Sequence, residues 1–569
     1  MPIARVTALL LALLFVSVGF RWESQHFLPG AVRGAGIAVV LVLIAPLARR
    51  GWLRALDRLA DATRSRTSLA VTLLAVTSFA LTVGLAFFVH RPYPHISDGF
   101  AYYFQAKIFA AGALFAPAPP VPESFQFEWI AVHDGRWFSI FPPGWPALLA
   151  AGVRLGIPVL VNPILGALCI VAIYKLGKTL FGPVHGLVCA LFCCLSPFFL
   201  FMSSEFMSHT AALLFTSLST LMAVQAADRP SPGRFATAGA LAGVGFLIRP
   251  PDALAIWLAQ TAHGMWTRRS REMFGGALVS AAALSGAIGL YLAYNRVLVG
   301  TWFSAPLLLV SPNNRLGFGP DIGYPIAFPT PGHSPWRALL NLNHNAAVMS
   351  QDLFGWPVTS LFFVVLVAVL GKKDARHTLG FAIIAAVVAI YALFWYHGEA
   401  YGARFYFTLL PYLLMLSVDG MRQTPEIIAR WFPRLESIAS RAHVAAAVVL
   451  CFVFGWTVYV PKVSLVAPYY NHKGVNSGFA EFRRRLPADP AIVLVDAPAP
   501  LYYGPALIAN DLPIGAGPII YARDLDEEAN ARLLAAFPGR RLLHYTYQPQ
   551  ANPVRTWLDS LIRDAGLSR

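Results

Sequence analysis

The sequence predicts an all-α polytopic membrane protein that carries a small α/β domain at its C-terminal end. Hydrophobic residues make up 57% of its 569 residues and charged residues only 13%, whereas soluble domains contain about 25% charged residues. Several stretches of about 20 residues lack any charge, and this length spans a bilayer as a helix. The composition excludes a disordered chain, a collagen-like fibre and an ordinary soluble enzyme.

Hydropathy predicts roughly thirteen membrane-spanning helices. Segments 235–248 and 250–266 are the weakest of them and flank Arg249, so two full crossings and one re-entrant pair both remain open. Residues 3–20 are expected to be an anchor, because no small-residue cleavage site follows the apolar run. The predicted spans lie near residues 3–20, 31–47, 68–89, 158–176, 184–203, 209–227, 235–248, 250–266, 274–294, 356–370, 378–396, 405–418 and 442–460.

Lys and Arg concentrate in the loops on one side of these spans, and cytoplasmic loops carry such an excess. This bias, rather than nucleic-acid binding, accounts for the net charge of +16. The basic loops are 48–67, 175–183, 228–234, 267–273, 371–377 and 419–441. Three parts follow: two N-terminal spans with a basic cytoplasmic loop (1–67), a membrane domain with outer loops 90–142 and 295–355 (68–460), and an outer-side soluble domain (461–569).

The outer-side regions carry the unusual sequence. Both outer loops are longer than typical connections, and irregular loops of this length are usually functional. The tail predicts a small α/β domain from strand-like runs at 491–496, 518–523 and 541–547 and a helical pattern at 526–537. The five cysteines lie in apolar runs, so we expect buried hydrophobic side chains rather than a disulfide framework or a zinc site.

The first outer loop contains a candidate catalytic carboxylate. Ser97 or Asp98 is expected to cap a helix that continues to residue 112 and lies along the membrane surface. Tyr102 and Gln105 share the helix face that begins at Asp98. A carboxylate at this position is suited to take a proton from a hydroxyl group. The alternative is a helix-capping aspartate without a catalytic role.

Two arginines lie beside apolar runs, where ionisable residues usually indicate function. Arg249 is suited to bind a phosphate through its planar guanidinium, or else pairs with Asp252 at a short turn. Arg404 starts a late span and is suited to bind the phosphate of a lipid. Its alternatives are an interfacial arginine whose head reaches water and a local ion pair with Glu399.

Glu205 and His209 are four residues apart, so a helix through both would place them on one face. Together they are candidates for metal binding or for tuning each other's proton affinity, although zinc sites have at least three protein ligands. The alternative is a helix start stabilised by capping. Most of the other outer-loop histidines, a set that includes His90 and His95, are interpreted as plain loop residues. Walker A and H-E-x-x-H motifs are absent from the sequence.

The order of these elements resembles the GT-C superfamily of lipid-carrier-dependent glycosyltransferases, in particular the branch of protein O-mannosyltransferases and lipid A aminoarabinose transferases. The resemblance covers about residues 68–418. It depends on Asp98 and the aromatic helix after it, the segment Pro142-Pro143-Gly144, the junction Arg249-Pro250 and the segment 402–407. Family members often follow the loop aspartate with glutamate, whereas this chain has Gly99, which weakens any expectation of a metal held by adjacent carboxylates.

The resemblance implies a polyprenyl-phosphate sugar as donor, Asp98 as general base, Arg404 near the donor phosphate and, by position only, Arg249 beside it. It also implies a bacterial inner membrane, an acceptor glycan, lipid or protein on the outer (periplasmic) side, and inversion at the anomeric carbon. No nucleotide sugar is implied, and a divalent metal remains open. The predicted substrate-binding residues are Tyr102, Gln105, Glu205, His209 and Glu399.

Two other classes of function remain open. One is a transporter or flippase for lipids or small molecules, although such proteins usually show repeated halves with broken helices near the midplane. The other is a non-catalytic subunit of polymer assembly whose tail binds a partner. The polar residues of this chain are dense in the outer loops rather than within the spans, and this favours the glycosyltransferase.

Overall fold

The structure is a computed structural model that describes residues 2–17, 66–325, 331–398, 400–433, 441–465, 475, 478–486 and 489–548. The predicted span 31–47, most of the basic loop 48–67 and Glu399 lie outside the described residues. Within the described residues the chain is mainly helical, as predicted.

The first half of the membrane domain consists of helices joined mostly by short turns. They are α1 (Pro2–Ser17), α2 (Thr67–Gly84, continued by a π-turn Leu85–Val89), α3 (Ser97–Ala110), α4 (Gly144–Arg154), α5 (Val161–Phe181), α6 (Pro183–Leu195), α7 (Pro197–Met202), α8 (His209–Asp228), α9 (Pro232–Ile248), α10 (Pro250–Arg268) and α11 (Arg271–Val299).

The second half begins with the predicted loop 295–355, which is not irregular throughout because it contains an 18-residue helix. Ser334 caps this helix and Pro335 is its first residue, a common start signal. The helices are α12 (Leu307–Val310), α13 (Pro335–Asp352), α14 (Phe362–Leu370), α15 (Ala375–Ala392), α16 (Leu410–Trp431, preceded by a 3₁₀ turn Arg404–Leu409), α17 (Arg441–Phe454) and α18 (Val460–Leu465).

Six helical segments in the described ranges are long and apolar enough to cross a bilayer: Thr67–Val89, Pro158–Phe181, His209–Asp228, Arg271–Val299, Ala375–Ala392 and Arg441–Ser464. Shorter apolar helices lie at Ala4–Ser17, Pro183–Leu195 and Pro232–Ile248. The predicted span 184–203 is divided into α6 and α7, because Ser196 caps α7 and Pro197 lacks the N–H that would continue α6. All five cysteines are buried and free, as predicted.

The chain between α9 and α10 turns at a single residue. Arg249 has the extended backbone angles φ −143° and ψ 87°. A residue before proline avoids the helical region because the proline ring would clash with it, and Pro250 therefore ends α9 and starts α10. The predicted segments 235–248 and 250–266 are thus two distinct helices that meet at Arg249.

The C-terminal tail forms the predicted α/β unit. Its parallel sheet has three strands with Ala491–Asp496 in the centre, and Val493 of this strand pairs with Tyr521 and Leu543 of the two outer strands. Burial of the central strand on both faces explains its uninterrupted apolar run. The elements are β4 (Ala491–Asp496), β5 (Ile519–Arg523), β6 (Arg541–Thr546), α19 (Gly478–Arg484), α20 (Pro500–Ala509) and α21 (Glu527–Ala536).

The first outer loop contains a small antiparallel sheet that the sequence interpretation missed. It consists of β1 (Ala116–Pro117), β2 (Ile130–His133) and β3 (Arg136–Ser139) in the order β1-β3-β2. Asp134 and Gly135 join β2 to β3 with φ angles of 47° and 72°. Asp-Gly is a strong signal for such a two-residue hairpin turn, so the motif that predicts this sheet is present in the sequence.

Helix α3 lies between two apolar cores. Tyr102 and Ala106 pack into the core of the membrane helices. Phe100 and Phe104 pack into a second core with the C-terminal sheet and α20. Lys107 donates hydrogen bonds to the backbone carbonyl groups of Ile508 (2.8 Å) and Asn510 at the end of α20. The C-terminal domain therefore fixes α3 from the side opposite the membrane helices.

Candidate active site

Asp98 and Arg404 form an ion pair between the first outer loop and the start of the late span. The Oδ2 atom of Asp98 accepts a hydrogen bond from Nη1 of Arg404 at 2.9 Å. Their side chains are 19% and 11% exposed. The capping prediction was wrong, because α3 begins after Ile96 without a side-chain cap. The hydroxyl group of Ser97 instead donates to Glu128.

The loop before Arg404 holds its guanidinium in place. Nε of Arg404 donates to the carbonyl group of Gly398 at 2.9 Å. Gly402 has φ +88°, and a Cβ atom there would lie 2.8 Å from both Asp352 and Phe198. The close approach therefore requires glycine. This loop turns tightly against the membrane core and directs Arg404 toward Asp98.

Arg249 lies in a second polar cluster at the α9–α10 junction. Its Nε donates to Oδ2 of Asp252 at 3.0 Å, and its Nη2 donates to the hydroxyl group of Tyr391 at 2.6 Å. Its Nη1 is 2.9 Å from Nε2 of His209. Thr408 donates to the other oxygen of Asp252 at 2.8 Å. The local pair with Asp252 that the sequence left open is thus present in the structure.

An aromatic ring brings the two arginines into one site. The guanidinium carbons of Arg249 and Arg404 lie 5.8 Å and 5.4 Å from the centre of the Phe405 ring, within the range of a cation–π contact. Tyr391 stacks on the same ring at 4.9 Å. The ring keeps two positive charges near each other beside an apolar wall, and such an arrangement suits a bound anion.

Tyr102 faces the same site from α3. Its hydroxyl group is 3.2 Å from the hydroxyl group of Ser208. Burial raises the pKa of Tyr102 to about 12, and the nearby Asp98 carboxylate adds to the rise, while Ser208, Arg249 and Arg404 oppose it. The phenol group of Tyr102 is therefore close enough to interact electrostatically with the carboxylate and with both guanidinium groups.

Gln105 does not face this site. It is fully buried, its oxygen accepts from the backbone N–H of Ser139 at 2.9 Å, and its Nε2 donates to the carbonyl group of Leu114 at 2.9 Å. Both ends of the amide are thus committed to backbone groups. In this structure Gln105 fixes α3 against β3, and its predicted substrate-binding role stays a prediction.

Glu205 and His209 do not share a helix face, contrary to the prediction. Helix α8 begins only at His209, and Ser208 does not cap it. Asn162 donates to the carbonyl groups of Glu205 and Met207 (2.8 Å), and Trp145 donates to that of Phe206 at 2.9 Å. These tertiary donors occupy the carbonyl groups that a helix would use, so Glu205 lies in a turn. His209 contacts Arg249 instead.

Glu205 contacts two histidines that the sequence interpretation left as plain loop residues. Its Oε1 atom is hydrogen bonded to Nδ1 of His95 and lies 3.1 Å from Nδ1 of His90. Burial alone would raise the pKa of Glu205, but His95, His90 and the backbone N–H of Phe206 more than offset it, and the net pKa is lowered. The only indication of this cluster in the sequence was the pair of histidines, His90 and His95, shortly before Asp98.

Tyr401 links this cluster to the ion pair of Asp98 and Arg404. Its ring lies 5.8 Å from that of His90. Burial raises the pKa of Tyr401 well above its ordinary value, and Glu205 and Asp98 add to the rise, whereas Arg404 opposes it. The predicted residue Glu399 falls outside the described residues, so its place in the site stays a prediction.

The comparisons with known proteins agree with this architecture. Residues 142–290 match the family model described as dolichyl-phosphate-mannose-protein mannosyltransferase. The structure of ArnT from Cupriavidus metallidurans bound to undecaprenyl phosphate is similar, with 12% identity, a TM-score of 0.51, and coverage of 88% of this chain and 91% of that chain. No curated protein sequence matches the chain significantly.

A second solved structure is the oligosaccharyltransferase AglB from Archaeoglobus fulgidus in complex with an inhibitory peptide and a dolichol-phosphate. It has 13% identity and a TM-score of 0.42, with coverage of 86% of this chain and 65% of that chain. The similarity to ArnT extends over nearly the full length of both chains. It confirms the predicted GT-C-like fold of an integral membrane protein.

Proposed function

We propose that the protein is an integral-membrane glycosyltransferase that moves a sugar from a polyprenyl-phosphate donor to an acceptor hydroxyl group. The observation that carries the proposal is the ion pair of Asp98 with Arg404, 2.9 Å apart and mostly buried. A second guanidinium, that of Arg249, lies against the same Phe405 ring. A carboxylate and two arginines in one GT-C-like site supply a base and a phosphate-binding pair.

The reaction is a single displacement with Asp98 as general base. Asp98 takes the proton of the acceptor hydroxyl group while its oxygen forms a bond to the anomeric carbon of the sugar. The bond from that carbon to the phosphate oxygen breaks, and the polyprenyl phosphate leaves with both bonding electrons. Attack on the face opposite the leaving group inverts the configuration at the anomeric carbon.

The donor phosphate competes with Asp98 for Arg404. In the structure the guanidinium of Arg404 donates to the carboxylate, and a phosphate can accept the same donors in a bidentate arrangement. Transfer of Arg404 to the phosphate then leaves the carboxylate without its strongest donor and more able to accept a proton. Arginine donors aimed at the phosphate stabilise the charge that develops on the leaving group.

Arg249 supports the phosphate electrostatically. A guanidinium has five N–H donors, and in this structure Asp252, His209 and Tyr391 each contact one of its nitrogen atoms. These contacts fix its plane before any substrate binds, which reduces the ordering required on binding. Tyr102 and His209 line the sugar side of the proposed site.

The membrane determines where the donor and the acceptor meet. We place the sugar and acceptor at the outer face of a bacterial inner membrane and the isoprenoid tail among the spans. The acceptor is a glycan, a lipid or a protein. The charge bias of the loops, together with the GT-C-like fold, supports this sidedness.

A panel of polyprenyl-phosphate sugars tests the proposal. Purified full-length protein in lipid nanodiscs is incubated with donors that differ in the sugar and with an envelope extract that supplies acceptor hydroxyl groups, and release of polyprenyl phosphate is followed by chromatography. We expect release from at least one donor and loss of release in Asp98→Asn. Movement of a lipid across vesicle membranes without release from any donor would instead favour a flippase.

A further inference from the structure

A second cluster of side chains lies beside the proposed catalytic pair and has no role in the displacement. His90 ends the π-turn after α2, His95 precedes α3, and Glu205 lies in the turn before α8. All three are buried. One ligand atom from each lies within 4.8 Å of the others, so three separate segments of the chain converge on one point.

The donor set is that of a transition-metal site. Two imidazole nitrogens and one carboxylate oxygen are ligands that zinc accepts, whereas Mg²⁺ and Ca²⁺ prefer oxygen ligands alone. An ion with bonds of about 2.0–2.2 Å holds tetrahedral ligand atoms about 3.4 Å apart. The 3.1 Å between Nδ1 of His90 and Oε1 of Glu205 already suits such a site. All three ligand atoms lie within 4.8 Å of one another, so the widest pair has to close by at most about 1.4 Å. The hydrogen-bonded pair of His95 and Glu205 has to open, because the ion replaces the proton between them.

Hydrogen bonds from groups around the cluster fix the Glu205 carboxylate, as hydrogen bonds to the ligands do in metal sites. The backbone N–H of Phe206 donates to Oε2 of Glu205 at 3.2 Å. Asn162 donates to the backbone carbonyl group of Glu205. Oε1 of Glu205 therefore stays directed at both imidazoles, and the rings of Phe201 and Tyr401 each lie 5.8 Å from His90 and cover the cluster.

We propose that His90, His95 and Glu205 bind one divalent transition-metal ion, with Zn²⁺ as the favoured ion. The ion ties the end of α2, the segment before α3 and the turn before α8 to one point. His95 is three residues before Asp98, so the ion holds the first turn of α3 and sets the position of Asp98 against Arg404. Three protein ligands leave one coordination position for water.

Metal content of the full-length protein tests this site without any glycosyl transfer. The protein is purified in detergent without chelator, and its metal is quantified by mass spectrometry. Stripped protein is then titrated with ZnCl₂, MnCl₂ and MgCl₂ while its unfolding temperature is recorded. We expect about one zinc ion per chain, a higher unfolding temperature with ZnCl₂, and no response to MgCl₂.

Two variants and a control complete the test. His95→Gln and Glu205→Gln should lower zinc affinity at least about tenfold, whereas His133→Gln, in an exposed part of the same loop, should bind zinc like the wild type. Cobalt substitution of the wild type gives a second readout, a visible absorption band that does not depend on variant folding. Wild-type protein that binds no more zinc or manganese than His95→Gln, with no cobalt band, would overturn the site and leave a hydrogen-bonded cluster only.

The outcome is separate from the proposed transferase activity. A chain that binds zinc and transfers no sugar would retain the metal site and reject the transferase. A chain that transfers sugar and binds no metal would retain the transferase and reject the metal site.

Discussion

Replacement of Asp252 by Asn should destabilise the junction between α9 and α10 more than any exposed ion-pair mutation. Asp252 is fully buried and accepts hydrogen bonds from Arg249, Tyr391 and Thr408. Asn has the same shape but only one accepting oxygen, so at least one of these hydrogen bonds is lost or has to reverse its direction. The substitution also leaves Arg249, 12% exposed, without its counter-charge.

The magnitude follows from burial. Loss of one partner of a buried ion pair costs about 3–5 kcal/mol, and the slight exposure of Arg249 places the expected loss at the lower end, about 3 kcal/mol. Asp228→Asn is the matched control, since Asp228 pairs with Arg268 while the two side chains are 54% and 52% exposed. An exposed pair contributes only about 0–1 kcal/mol.

Denaturant unfolding in detergent micelles, followed by tryptophan fluorescence, measures both variants against the wild type. The account predicts a clear loss for Asp252→Asn and almost none for Asp228→Asn. Equal unfolding midpoints for the two variants would refute the reasoning, because burial would then have no effect on how much an ion pair contributes to stability.

Two further predictions concern the contact between α3 and the C-terminal domain. A Cβ atom at Gly504 would lie 2.7 Å from the buried Phe100 ring, so Gly504→Val should lower stability by about 1–3 kcal/mol and reduce transfer by shifting α3. Ala535→Val, on an exposed helix face, should change neither stability nor transfer rate. Equal transfer rates for Gly504→Val and Ala535→Val would contradict the prediction. Burial lowers the pKa of Lys107 to about 8, below its unfolded value. Between these two pKa values the unfolded chain binds more protons than the folded chain. Wild-type stability should therefore rise from about pH 8 to about pH 10.5 relative to Lys107→Met. Parallel stability profiles for the two proteins over this pH range would contradict the prediction.

Long apolar runs are the part of this fold that the sequence predicts best. A span of about 20 uncharged residues has few alternatives to a membrane helix, and the strand pattern of 491–496 is equally direct. Apolar runs alone do not predict the break between α6 and α7. That break becomes predictable only when serine before proline is recognised as a helix start, as at Ser196 and Pro197. The Asp134-Gly135 turn and the Ser334-Pro335 helix start were also present as local signals.

The site was predictable only in part, because its contacts join residues far apart in the chain. Asp98 and Arg404 are 306 positions apart, and no local pattern pairs them. Glu205 illustrates the opposite failure. Its spacing to His209 suggested a helix, but hydrogen bonds from Asn162 and Trp145 to the 205–207 carbonyl groups keep the turn open. Such tertiary donors override local spacing and are invisible in the sequence.

The most direct test of the central claim compares donor turnover with donor binding in Asp98→Asn. General-base catalysis contributes about 10²–10⁴-fold to a rate, so turnover of the accepted polyprenyl-phosphate sugar should fall by that factor. The donor should still bind at least as tightly as to the wild type, because Arg404 no longer pairs with a carboxylate. Asp134→Asn, exposed in the same loop, serves as the control. Turnover in Asp98→Asn that remains near the wild-type rate would contradict the account.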